Sequence, residues 1–352
     1  MKGLVSSWNE WDPLEDVVVG RIDNSYFPDW DRLLLNTIPE EALSDYQDIF
    51  ASKGKPIPQE LIERATSDLQ TFIDILTREG INVWRPDGMD FGRGYSTPDW
   101  EVANGLSSAN PRDVFLVVGD LIIECPMSDR GRYFEAFPFR TILKELFKGG
   151  ARWISAPKPS LSDKLYYDLK GDTFPFSITE FEPTFDAADF LRFGNNIVGQ
   201  LSHATNNFGV EWLQHILPEK VEISLIESLS KTTLHIDTTI MPLAEGKLLF
   251  NPEFVDPKRL PEFLQKWDLI EAPKPKSFFA QIGEYRVVSD WMSMNVLSLD
   301  GKRVVVEENQ EDMIRVLRNH GFEPIPCPFE SYYIFGGSFH CATLDLKRCA
   351  VK

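Results

Sequence analysis

Asp113-Val114-Phe115-Leu116-Val117-Val118-Gly119-Asp120-Leu121-Ile122-Ile123-Glu124 reads as an apolar strand, a tight glycine turn and a second apolar strand. The unit recurs. Phe185 to Gln200 repeats it, His235 to Pro252 turns at Glu245-Gly246-Lys247, and Asn295 to Val306 turns at Asp300-Gly301-Lys302. Near the C-terminus, Gly336-Gly337-Ser338-Phe339-His340-Cys341-Ala342-Thr343-Leu344-Asp345 places two glycines before an alternating stretch, with Cys341 opening a fifth hairpin. Helical patterns follow several units: Tyr133 to Phe147, from Val210 to Ile216, and Glu311 to His320, stopped by Gly321. The units lie roughly 50 to 70 residues apart and share no sequence identity. No such unit buries its own apolar face, so five must pack around a common centre. The expected architecture is α/β, a ring of ββα-type repeats formed by residues 1–352 as one domain.

Outside the repeats, Pro58 to Gly80 carries the clearest helical pattern, with Leu61, Ile62, Ala65, Leu69, Phe72, Ile73 and Leu76 on one face. Val17-Val18-Val19-Gly20 reads as a buried strand and Ile81 to Trp84 as another. Residues 23 to 58 read as a long surface excursion, placed to act as a flap over a site.

The chain has 36 Lys and Arg against 54 Asp and Glu, a net charge of −18. That balance argues against nucleic acid and against an anionic membrane surface, and favours a cationic small substrate. No run of eighteen apolar residues and no apolar signal segment is present, so a cytoplasmic location is expected. The four cysteines, Cys125, Cys327, Cys341 and Cys349, form no CxxC pair and no zinc spacing. Free thiols follow.

In a ring of repeats, equivalent strand starts converge near one axis. The residues there are Asp113, Asp186, His235 with Asp237, Ser289 and Cys341. Turn and cap chemistry explains any one of them, but less well five chemically matched residues. A thiol with a pKa of about 8.5 needs a nearby cation to become a nucleophile at neutral pH. His340 is adjacent to Cys341, but neighbours on a strand point to opposite faces, so His340 is read as structural. His235 and Asp237 share a face and would enter one cleft together. Asp186 and Asp189 flank two alanines, which points to close packing or to a ligand against the backbone. Several carboxylates beside a thiol suit a planar cation, and a guanidinium presents five donors in a fixed fork.

Asn9 to Glu15, Asn110-Pro111-Arg112-Asp113, Glu180 to Phe190, His235-Ile236-Asp237 and Ser338 to Thr343 together resemble the arginine-dependent amidinotransferases, in the same order along nearly the whole chain. Within that family, Asn251 to Asp256 and Glu330-Ser331-Tyr332-Tyr333 look most like the saxitoxin-pathway branch. The resemblance implies the five-bladed α/β propeller of the pentein superfamily. It implies a ping-pong transfer of the amidino group from L-arginine to a small-molecule amine through an amidino-cysteine on Cys341, releasing L-ornithine, with a role in guanidinium natural-product biosynthesis. It assigns His235 as acid/base, Asp186 as its orienting carboxylate, Asp113 and Asp237 as the guanidinium grip, and Ser289 as a contact to the donor's amino-acid end. Asp189 lies in the motif without a definite role. No metal or organic cofactor is implied, and the assembly common in the family is a homodimer.

Two departures stand out. Phe254 replaces the arginine that in the glycine enzyme pairs with a substrate carboxylate, and Val288 replaces the serine before Ser289. Phe254 is therefore a candidate acceptor-binding residue, and Arg286 and Arg259 are left as candidates for the donor's carboxylate. The competing readings are an arginine:glycine amidinotransferase, an arginine deiminase-like hydrolase, and a metal-binding β-barrel using His235, Asp237, Asp186 and His203.

Overall fold

The computed structural model describes residues 3–28, 53–167, 176–230, 232, 234–277 and 288–349. Five three-stranded sheets carry the fold. Each joins an antiparallel pair to a third strand parallel to the second. A helix supplies the crossover in each, because parallel strands cannot be joined by a tight turn. Phe115–Val118 pairs with Leu121–Glu124, and Arg152–Ser155 returns alongside after helix Arg140–Lys148. The next three sheets follow the same plan with helices Asn207–Ile216, Glu262–Gln265 and Glu311–Asn319. Gly119, Gly194, Gly246 and Gly301 sit in the four hairpin turns at φ between +62° and +76°, where a side chain is strained.

The fifth sheet departs from the expectation. Cys341 opens no local hairpin. Thr343–Arg348 pairs antiparallel with Leu14–Val19, which lies parallel to Asn82–Trp84 across helix Gln59–Arg78. The two ends of the chain thus complete one sheet and close the ring. The crossover helix of the first sheet also starts later than its periodicity predicts, since Arg130–Arg132 and Phe137–Phe139 form 3₁₀ turns before Arg140. Most of the 23–58 excursion lies outside the described residues. Its two ends are zipped together by Phe27 N–H to Lys55 O and Ile57 N–H to Ser25 O.

A one-turn helix precedes the first strand of three sheets: Pro111–Val114, Ala187–Asp189 and Ile236–Thr238. Asp290–Met294 stands in the same place before the fourth. These turns touch their neighbours in sequence. Asn295 then meets His340 and Cys341, and Arg112 N–H donates to the Cys341 carbonyl, which brings the cycle back to its start. The axis is a closed ring of five turns, and the residues expected at strand starts sit on them. Behind one of these turns the rings of Phe329 and Phe339 stack at 4.5 Å, with Phe72 of the first long helix edge-on to both. This aromatic stack fixes the residue next to His340-Cys341.

Candidate active site

Cys341 lies in a turn two residues before its strand, not on the strand. Ala342 N–H donates to Ser338 O at 2.8 Å and Thr343 N–H to His340 O at 3.1 Å. Asn295 clamps this turn. Its Oδ1 accepts from the backbone N–H of His340 (3.0 Å) and of Cys341 (3.1 Å), and its Nδ2 donates to Cys341 Sγ at 3.1 Å. Gly337 packs so closely that a Cβ there would lie 2.6 Å from Cys341 Cβ. The opposite-face argument for His340 fails in a turn: both residues reach one carboxylate. Asp237 Oδ2 lies 2.9 Å from His340 Nδ1 and accepts from Cys341 Sγ at 3.2 Å.

His235 leads into the Ile236–Thr238 turn, and Asp186 into the Ala187–Asp189 turn. His235 Nε2 is 3.0 Å from Asp186 Oδ2, and its Nδ1 is 3.7 Å from Asp113 Oδ1. Ligand atoms of Asp113, His235 and Cys341 all lie within 4.8 Å of one another. Asp113 Oδ1 and Asp186 Oδ1 are buried without a hydrogen-bond partner, so each can accept from a ligand donor.

Arg132 enters the site unforeseen. Its Nη2 donates to Asp113 Oδ2 (2.9 Å), its Nε to Glu135 Oε2 (2.8 Å), and its Nη1 lies 3.6 Å from Asp186 Oδ2. It comes from the 3₁₀ turn ahead of the helix, where a helical reading of Tyr133 to Phe147 gave no reason to look. Asn295, flanked by Met294 and Val296, carried no sequence signal either.

The electrostatics follow from burial and from four acids in one place. Burial alone would push the His235 imidazolium down, but Asp113, Asp186 and Asp189 outweigh it and hold His235 up to about 10. Burial pushes the Cys341 thiol well up, and the charges of Asp237 and Asp113 push it further. Burial opposes ionisation of Asp237, but the hydrogen bond and charge of His340 win and keep its carboxyl low. Burial raises Asp113 despite His235 and Arg132. These shifts favour a protonated thiol beside a charged imidazole.

Five expected residues therefore meet: Cys341, His235, Asp186, Asp113 and Asp237. Asp189 lies behind Asp186, fully buried, held by Ser202, Thr205 and Gln200. Ser289 is exposed, and its Oγ accepts from Trp291 N–H. Phe254 is half-buried with its ring 6.1 Å from that of Trp291. Arg259 pairs with Glu227 at the surface, and Arg286 lies outside the described residues. The quartet proposed for a metal-binding barrel does not assemble. His203 Nδ1 lies 2.6 Å from Ser177 Oγ, and the one cluster of three metal-type donors among the described residues is Asp113, His235 and Cys341.

No protein-family model matches the chain. An L-arginine:L-lysine amidinotransferase of Pseudomonas savastanoi pv. phaseolicola is 45% identical over 349 residues, covering 98% of this chain and 94% of that protein. The mitochondrial glycine amidinotransferase of Gallus gallus is 37% identical over 357 residues, covering 98% and 83%. Among solved structures, SxtG, an amidinotransferase of the saxitoxin biosynthetic pathway from Microseira wollei, superimposes with a TM-score of 0.95 at 50% identity, covering 99% of this chain and 98% of that one. Structures of dimethylarginine dimethylaminohydrolase share the fold at a TM-score of 0.59 and 16% identity. Among the described residues no helix is long and apolar enough to cross a membrane. Identity above one third across almost the full length, with the same fold, decides the matter: the chain belongs to the amidinotransferase family and is an amidinotransferase.

Proposed function

We propose that the reaction is a two-step transfer through Cys341. The observation that carries this reading is the thiol, imidazole and carboxylate gathered within 4.8 Å, with Asp237 against the sulfur. The guanidinium of L-arginine carries the charge that Asp113 and Asp237 call for. Its arrival neutralises the two carboxylates that help hold the thiol up, so donor binding itself favours the thiolate, the thiol proton passing to solvent while His235 keeps its own. The thiolate attacks the guanidino carbon and a C–S bond forms. His235, protonated before the reaction, gives its proton to the departing side-chain nitrogen as the C–N bond breaks. L-Ornithine leaves, and an amidino group remains on sulfur. The acceptor amine then attacks the same carbon, neutral His235 takes its proton, and the C–S bond breaks to restore the thiolate. Asp186, 3.0 Å from His235 Nε2, orients the ring throughout.

The acceptor in this reading is an amine of a guanidinium natural-product pathway. A deiminase-like outcome would require water in place of that amine. Intact-mass measurement after mixing with arginine tests the scheme. One amidino group should be gained on Cys341 and cleared by a competent amine. The Cys341→Ser variant should gain nothing. Turnover without any adduct, or full activity in that variant, would overturn the mechanism.

A further inference from the structure

Asp189 is a buried acid that the scheme above leaves idle. Several other buried acids, Glu10, Asp113, Glu124, Glu135 and Asp345, each pair with a guanidinium. Asp189 instead gathers three neutral donors. Ser202 Oγ donates to its Oδ2 at 2.6 Å, Thr205 Oγ1 to the same oxygen at 2.5 Å, and Gln200 Nε2 to Oδ1 at 3.2 Å. All four residues are fully buried. Building a carboxylate into such a place is costly unless it organises its surroundings.

The donors lead in two directions. Thr205 Oγ1, its proton committed to Asp189, accepts from the backbone N–H of Asp186 at 3.2 Å. Gln200, at the end of strand Asn196–Gln200, uses its amide oxygen to accept from Thr239 Oγ1 at 3.4 Å. Thr239 closes the next turn, its N–H donating to Ile236 O at 2.8 Å, and that turn carries His235 and Asp237. One continuous chain therefore runs from the Asp186 backbone through Thr205, Asp189 and Gln200 to Thr239. It ties together the two turns whose side chains meet as Asp186 and His235.

We propose that Asp189, with Thr205 and Gln200 as its two arms, is a positioning centre that sets the Asp186–His235 distance and so the proton-transfer step. The inference rests on the reading of His235 as the acid/base. Asp189 touches no reacting atom. Its effect reaches the chemistry through where it holds two turns, and a misplacement of about 1 Å can cost on the order of a hundredfold in rate. Burial pushes the Asp189 carboxyl up to about 7, and in its ionised form it adds negative potential at His235, so loosening Asp186 or neutralising Asp189 lowers the affinity of the imidazole for its proton.

The test uses the full-length enzyme with arginine and a competent amine. Thr205→Val removes the hydroxyl at constant shape. The expected result is a fall in kcat of about 10- to 100-fold with arginine KM changed less than about threefold, since Asp113 and Asp237 are untouched. The pH–rate limb belonging to His235 should move to lower pH. Thr205→Ser should restore both. Asp189→Asn should shift the same limb in the same direction. Wild-type kcat and an unmoved pH profile in folded Thr205→Val overturn the proposal, as does a loss that Ser does not repair. If Thr205→Val does not fold, Thr239→Val cuts the other arm and is judged by the same two readouts. His235→Asn is measured alongside. Normal exchange of labelled ornithine into arginine in that variant would mean the acid/base is another residue, a failure distinct from an inert Thr205.

Discussion

At the scale of single residues, the carboxylates and imidazole follow from type and spacing, while the side chains that tune them do not. Asp113, Asp186, His235, Asp237 and Cys341 were legible because their chemistry matches and the repeat brings them together. Arg132 and Asn295 were not, since their roles depend on turns that no local pattern encodes. His340 was set aside on a strand argument that the turn invalidates. His235 makes a pH prediction. Its folded pKa of about 10 lies above the ordinary 6.5, so its ion pairs with Asp113 and Asp186 stabilise the fold fully below pH 6.5. That contribution is lost as pH rises through 10. Thermal melts of wild type should decline from pH 7 to 10, and those of His235→Asn should start lower and decline less. Parallel declines would show that His235 is not held charged. Phe254 bears on the acceptor. Its ring backs onto Trp291, and at this position a substrate carboxylate meets no cation. In an acceptor panel read by mass spectrometry, glycine should be a poor substrate beside larger amines lacking an α-carboxylate, and Phe254→Arg should improve it. Glycine as the best acceptor of the wild-type enzyme would refute this.

At the scale of elements, the strand–glycine–strand units were legible because a hairpin is local: both strands and their turn are contiguous in sequence. The fifth sheet was not, because Leu14–Val19 and Thr343–Arg348 are separated by almost the entire chain and nothing in either names the other. Gly20 marks that junction. Its N–H donates to Ala342 O at 2.9 Å, beside the nucleophile, while a Cβ on it would fall 1.7 Å from Ala109 O. Both neighbours are backbone and cannot swing away. Gly20→Ala must push the Asn110–Asp113 turn from the Cys341 turn, or break the sheet. It should cost on the order of 3 kcal/mol or more, read from the denaturant midpoint, with transfer activity falling in the fraction that folds. A variant as stable and as active as wild type would mean that the two turns are not in register through Gly20.

At the scale of the whole molecule, the ring is pinned by ions buried behind the site. Arg192 sits in the strand Phe190–Phe193, a buried charge among apolar neighbours, and such a charge needs an acid to face it. Its Nη2 donates to Glu10 Oε2 at 2.6 Å and to Asp345 Oδ2 at 2.8 Å, and its Nη1 donates to Ser7 Oγ at 2.5 Å and to Val117 O. Arg112 reaches both acids, Arg348 reaches Asp345, and His340 Nε2 lies 3.5 Å from Glu10. The cluster thus gathers the N-terminal lead, the first and second sheets and the closing strand, and it continues through His340 and Asp237 to Cys341. Burial would raise Glu10 and Asp345, but the guanidiniums outweigh it and hold both carboxyls well below the usual range. Their pairing therefore stabilises the fold above the ordinary carboxylate range and is lost only as pH falls through the depressed values. Arg192→Met leaves two buried acids short of a cation. Removing one partner of a buried pair costs about 3–5 kcal/mol, and the acid-unfolding midpoint should move to higher pH because Glu10 and Asp345 then protonate sooner. Adding Glu10→Gln to Arg192→Met should recover part of the loss by removing the stranded charge, a coupling that a double-mutant cycle measures. An Arg192→Met protein that melts and acid-unfolds like wild type would mean that the closing strand is held by its backbone ladder alone.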